Sequence, residues 1–144
     1  MSIGKITAVS VMGPSLLKLQ WDDGRRAQID LSAIIAAHPA LGNLQSADVF
    51  AGVAISPDGW SIEWPGQLDF GSAQLRRWAD EQAGETMPAA AFRNWIEAHT
   101  MTLDAAAAAL GLSRRTIAYY LSGEQPVPKT VMLATLGYER MRAA

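Results

Sequence analysis

Apolar residues recur along this chain with a period of two in the first half and of three to four in the second. Residues 3–12, IGKITAVSVM, alternate around Ile3, Ile6 and Val11 as a strand does, and Gly13-Pro14 ends the run. Leu17, Leu19 and Trp21 alternate with Lys18 and Gln20, and Asp22-Asp23-Gly24 follows as a hairpin turn, because Asp-Gly tolerates positive φ. Arg25 to Leu31 returns as a third strand, with Ala27, Ile29 and Leu31 on one face. Ser32 is placed to cap a short helix, 33–37, that stops before His38-Pro39. A loop carrying Leu41, Gly42 and Leu44 leads to a predicted strand over 48–56. Pro57-Asp58-Gly59 then turns into a partner strand, 60–64, with Trp60, Ile62 and Trp64 on one face. Pro65-Gly66 ends that hairpin. The spacing of Leu75, Trp78 and Ala79 predicts a helix over 72–82, stopped by Gly84.

Beyond Gly84 the period is helical throughout. Residues 89–99 bury Phe92, Trp95 and Ile96. In 103–110, Leu103, Ala106, Ala107 and Leu110 share a face. Gly111 suits a left-handed helix end, Leu112 is an apolar plug, and Ser113 is a good N-cap for a helix over 114–122. Ile117, Tyr120 and Leu121 point inward there, and Gly123 closes the helix; Tyr119 and Tyr120 could exchange inward and outward roles. After a proline-bounded loop, 124–128, a last helix over 129–141 offers Val131, Met132, Leu133, Leu136 and Tyr138 to a core. The expected fold is two domains: a small α+β domain of antiparallel hairpins (1–84), a linker (85–88), and an all-α domain of about four helices (89–144).

Composition changes this picture little. A hydrophobic content of 49% sustains packed cores. The absence of cysteine removes disulfides, thiolate catalysis and most zinc sites. No apolar run approaches the ~20 residues of a membrane span, and the first residues lack a signal-peptide pattern, so a cytoplasmic protein is expected. The net charge of −2 is unevenly spread. Residues 1–85 hold six Lys/Arg against ten Asp/Glu, net −4, and residues 86–144 hold six against four, net +2. An acidic front and a mildly basic back suit a DNA-binding module attached to something else.

The run MTLDAAAAALGLSRRTIAYYLSGEQPVP resembles the helix-turn-helix of the phage-repressor (Cro/C1, or XRE) type. The resemblance rests on Ala107, Gly111 four residues later, Ser113, Thr116-Ile117 and the Ser122-Gly123 exit before Pro126, and covers about a third of the chain. Leu121 departs from it, since many members carry glutamate there. The first 80 or so residues resemble a prokaryotic family known only as domain of unknown function 2442. That likeness rests on the early strand pair, Asp23-Gly24, Ile29-Asp30-Leu31, Phe50 and Ile62-Glu63-Trp64-Pro65-Gly66. It implies an architecture and no activity.

The repressor resemblance makes 114–122 a recognition helix, whose N-terminal end meets base edges in the major groove. Arg114 and Arg115 stand there and can donate to guanine or to phosphate. Ser113 and Thr116 can bond phosphate, and Ala118, Tyr119 and Ser122 complete the outward face. Lys129 and Thr130, at the start of the next helix, suit backbone contact. One such helix reads few base pairs, so a homodimer on a palindromic operator is expected. The expected function is thus sequence-specific binding of double-stranded DNA by a prokaryotic regulator; an antitoxin-like repressor fits by analogy. The first alternative is a protein-interaction module whose helix-turn-helix does not bind DNA. The second is a small-ligand or protein site on the N-terminal domain, using Trp21, Trp60, Trp64 and Trp78, although core packing is their commoner use.

Catalysis is not expected. His38 and His99 sit at helix ends, where histidine usually caps, and Asp22, Asp23 and Asp58 hold turn positions that favour aspartate for backbone reasons. No phosphate loop, nucleophile elbow, metal-ligand spacing or cofactor motif is present.

Overall fold

The computed structural model describes residues 4–143, and the chain divides into two compact units between Ala79 and Asp80. That division lies before the Gly84 stop expected from the sequence, inside the helix over residues 72–82. Ile3 and Ala144 lie outside the described residues.

The first unit opens with an antiparallel meander of β1 (Ile6–Gly13), β2 (Leu16–Trp21) and β3 (Arg26–Asp30). The register sets Val9 opposite Leu19 and Leu17 opposite Ile29, so the apolar set shares one face. Leu17, Leu19, Trp21 and Ile29 are buried there, while Lys18, Arg26 and Gln28 are exposed. Gly24, with φ of +87°, makes the turn between β2 and β3.

After α1 (Ser32–Ala37) and a 3-10 segment (Pro39–Gln45), the expected strand over 48–56 is not formed. A single helical turn, α2 (Ala47–Phe50), comes first, and only β4 (Ala54–Ile55) is extended. One turn is too short to display a 3.6-residue period, and tertiary contact decides it. The Phe50 carbonyl accepts the Trp64 indole N–H at 2.9 Å, and the two rings stack at 5.7 Å. β5 (Ser61–Trp64) pairs with β4 and also with β6 (Leu68–Gly71), a strand the sequence did not announce, before α3 (Ser72–Gln82). Two further expectations fail locally. Ser32 is inside α1 instead of capping it, because the Asp30 carboxylate takes the Ser32 amide at 2.9 Å. Trp60 does not share the buried face of Ile62 and Trp64; it precedes β5 and stays 48% exposed.

Trp21, Phe50, Trp64 and Leu75 centre this core. The Trp21 indole donates to Ser72 Oγ at 3.1 Å, which gives its one polar atom a partner. Asp23, in the β2–β3 turn, accepts two hydrogen bonds from Arg76 of α3, at 3.2 and 2.8 Å, and one from the Arg25 amide at 3.1 Å. The Arg76 guanidinium and that amide hold the Asp23 carboxyl below the usual carboxylate range. Asp58, bonded by Ser56 and the Trp60 amide, is lowered as well. A lowered folded-state pKa stabilises the fold above the ordinary aspartate pKa of about 4 and is lost as the pH falls through that range. Urea midpoints are therefore expected to fall between pH 6 and pH 3, and Asp23→Asn should flatten part of that fall. An unchanged pH profile would show that Asp23 and Arg76 do not couple folding to protonation.

The second unit contains β7 (Thr86–Met87), α4 (Ala89–Ala98), α5 (Leu103–Leu110), α6 (Arg114–Ser122), β8 (Val127–Pro128) and α7 (Lys129–Ala143). It is not purely helical. The segments read as a linker and as a proline-bounded loop pair as a two-stranded antiparallel ladder, with Met87 opposite Val127. Two residues per strand leave no period to read. Phe92, Trp95 and Ile96 of α4, Ala106 and Ala107 of α5, Ile117 and Tyr120 of α6, Val127 and Val131 form one core. Along α7 the inward stripe is Val131, Thr135 and Tyr138, at i, i+4, i+7, with Thr135 Oγ1 bonded to the Met132 carbonyl at 2.6 Å. Leu133 and Leu136, expected in the core, lie off that stripe and are 54% and 57% exposed.

Candidate nucleic-acid interface

The α5–α6 pair is set by three local devices. Thr102 caps α5, its Oγ1 accepting from the Ala105 amide at 3.0 Å. Gly111 ends α5 with φ of +71°, a conformation that costs an L-residue about 1–2 kcal/mol and glycine little. Ser113 then caps α6, its Oγ accepting from the Thr116 amide at 3.1 Å. Three residues thus turn the chain from one helix into the next. Ala106 and Ala107 are buried and carry only a methyl each, which lets α5 lie close against its neighbours.

α6 presents the outward set predicted for it. Ser113, Arg114, Arg115, Ala118 and Ser122 are exposed, and Thr116 and Tyr119 are half-buried. The ambiguity between the tyrosines is resolved by packing. Tyr120 is inside, edge-on to Phe92 at 5.7 Å, and burial pushes its hydroxyl pKa up. Tyr119 faces out, and its hydroxyl accepts from Arg115 Nε at 2.7 Å. Ser113 Oγ and Thr116 Oγ1 bond each other at 2.9 Å, and Ser122 Oγ donates to the Tyr119 carbonyl at 3.1 Å. Lys129 and Thr130 stand exposed on the first turn of α7. Among the described residues no hydrogen bond or ion pair joins these two to the α6 set.

Two residues at this site were not found from the sequence. Asp104, in the first turn of α5, faces Arg114 with Oδ2 at 3.4 Å from NH1; both side chains are mostly exposed, so the pair contributes at most about 1 kcal/mol. Arg93 of α4 donates through NH2 to the Leu121 carbonyl at 2.9 Å, satisfying an orphan acceptor at the C-terminal end of α6. Arg93 and Leu121 are 28 residues apart. No spacing rule reaches that far. Asp104 carried a faint signal, since an acid in a first helical turn suits the helix dipole whatever else it meets.

The tryptophans of the first unit are placed differently from one another. Trp21 and Trp64 are core residues, and Trp78 meets Phe70 edge-on at 5.1 Å. Exposed Trp60 has Lys5 Nζ 5.8 Å from its ring centroid. A shallow apolar groove of about 280 Å³, between the β1–β2 turn and α2, is lined by Val11, Leu44, Phe50 and neighbours and contains no tryptophan. Among the described residues no three His, Cys, Asp or Glu side chains group as a metal set. No helix among them is long and apolar enough to cross a membrane.

No curated protein matches the chain. A crystal structure named "Putative DNA Binding Protein NE0471", from Nitrosomonas europaea, is similar at 34% identity with a TM-score of 0.57, over 99% of this chain and 92% of that one. The family model described as "Protein of unknown function (DUF2442)" matches residues 6–81, which contain all of the first unit's sheets and most of α3. With over half of its length inside that model, the chain belongs to the DUF2442 family.

Proposed function

We propose that this protein binds double-stranded DNA sequence-specifically as a prokaryotic transcriptional regulator. In this reading α5 and α6 are a helix-turn-helix of the Cro/C1, XRE type, and α6 enters the major groove. The observation that carries it is the pair Arg114 and Arg115, exposed on the first turn of a capped α6. The likeness to the Nitrosomonas protein, named for DNA binding, supports the reading because it extends over nearly the whole chain. Lys129 and Thr130 serve as backbone contacts at the start of α7. Two copies bind a palindrome, since one helix reads only a few base pairs.

A second reading, a protein-interaction module, is favoured by Leu133, Leu136 and Met141, which α7 leaves exposed. Selection of bound duplexes from a random pool, at low and at physiological salt, separates the two. The DNA reading expects an enriched palindrome with half-sites about one helical turn (~34–36 Å) apart, and an affinity that falls steeply with salt as counterions are released. Absence of enrichment at either salt concentration, with the fold intact, would leave the interaction module.

A further inference from the structure

Resting on the DNA-binding reading above, we propose that Arg115 and Tyr119 act as one unit that reads guanine, and that Arg114 contacts the DNA backbone instead. The two neighbouring arginines are held in different ways. Arg115 and Tyr119 are four residues apart on α6, so their side chains share a face. The Tyr119 hydroxyl accepts from Arg115 Nε at 2.7 Å, and the guanidinium carbon lies 5.3 Å from the tyrosine ring centroid. One donor of the fork is occupied and the ring borders the guanidinium, so Arg115 is oriented before any ligand arrives. Its terminal NH1 and NH2 groups make no other hydrogen bond or ion pair among the described residues.

Two coplanar donors on a fixed fork match the two acceptors, O6 and N7, that guanine presents in the major groove. Adenine offers an acceptor beside a donor there, so the same fork meets one N–H it cannot bond. Tyr119 is the specificity residue that acts through Arg115, because it holds the guanidinium without touching the base.

Arg114 lacks such an anchor. Its NH1 is 3.4 Å from Asp104 Oδ2, with the two side chains 64% and 75% exposed. That is a long, solvated pair, readily exchanged for a phosphate oxygen, and a single mobile cation beside the groove suits the sequence-independent part of binding.

Tyr119→Phe tests the assignment, since it keeps the ring and removes only the hydroxyl acceptor. Wild type, Tyr119→Phe, Arg115→Ala and Arg114→Ala are compared by duplex selection, by Kd on the selected duplex and its single-base variants, and by circular dichroism. In Tyr119→Phe, guanine preference at one position of each half-site should fall by roughly fivefold, with unchanged helicity, unchanged affinity for unrelated DNA and an unchanged salt slope. Arg115→Ala should erase the preference at that same position. Arg114→Ala should weaken all duplexes alike and reduce the salt slope by about one per subunit. If wild type selects a site and Tyr119→Phe keeps its full guanine preference, or if Arg114→Ala is the variant that erases it, the assignment is wrong while the DNA reading stands. If wild type selects no site, both fall together.

Discussion

Replacing Arg114 and Arg115 together with alanine is expected to lower affinity for the selected duplex by about 100-fold or more while leaving the fold in place. A bidentate arginine–guanine pair discriminates by about 1–3 kcal/mol, and each phosphate neutralised contributes about 0.9 to the salt slope. One contact of each kind per subunit, in the proposed dimer, multiplies to that loss. The fold should survive because both residues are exposed on the outer face of α6. Alanine is the better helix former, and the partners left behind, Asp104 and Tyr119, have solvent or half-exposed surroundings. Fluorescence anisotropy on labelled duplex across a salt series, beside far-ultraviolet circular dichroism, measures both halves. Undiminished binding by a folded double variant would move the interface away from α6.

Phe92→Ala carries the largest expected loss of stability, about 3–5 kcal/mol. The ring is wholly buried, lies 6.1 Å from Trp95 in a stacked arrangement, and meets Tyr120 edge-on at 5.7 Å. Its removal opens a cavity between α4 and α6, and the neighbouring aromatic rings are too rigid to close it. A domain stable by about 5–15 kcal/mol loses a large share of that margin. Near-ultraviolet circular dichroism during thermal unfolding should show the tertiary signal of this unit lost at a much lower temperature. The proposed DNA binding would then fail through loss of structure, in contrast to the arginine variant, whose structure is expected to be kept. An unchanged midpoint would mean that Phe92 does not carry the packing of α6.

The α6 surface was the most legible part of the chain because its information is local. Gly111 and Ser113 end one helix and start the next through their own backbone and hydroxyl chemistry. The apolar positions Ile117 and Tyr120 then orient the whole helix, and with it Arg114, Arg115, Ala118 and Ser122. The same holds for the first hairpin, where Leu17, Leu19 and Trp21 alternate over enough residues to set register, and for α3, whose limits at Ser72 and Gln82 match the expected ones.

Short elements were legible only in part. Residues 47–50 form one helical turn because the Phe50 ring and carbonyl meet Trp64, a contact that no four-residue pattern can announce. β6 follows Gln67, a non-glycine residue at φ of +67°, and pairing with β5 decides that Leu68–Gly71 is extended. In α7 the abundance of apolar residues misled, and the side of the helix on which Val131 and Thr135 pack decided that Leu133 and Leu136 face out.

The sequence by itself determined the ends of α5 and α6, the turn between them, and which residues of α6 other than the two tyrosines face out, because caps, glycine φ and apolar spacing act within a few residues. Only the tertiary structure decided that Tyr120 and not Tyr119 turns inward, that Arg114 faces Asp104, that Arg93 closes the end of α6, and that residues 86–87 and 127–128 form a ladder. Those choices depend on which atoms arrive within about 3 Å of each other once the helices have packed, and a linear pattern carries no such distances.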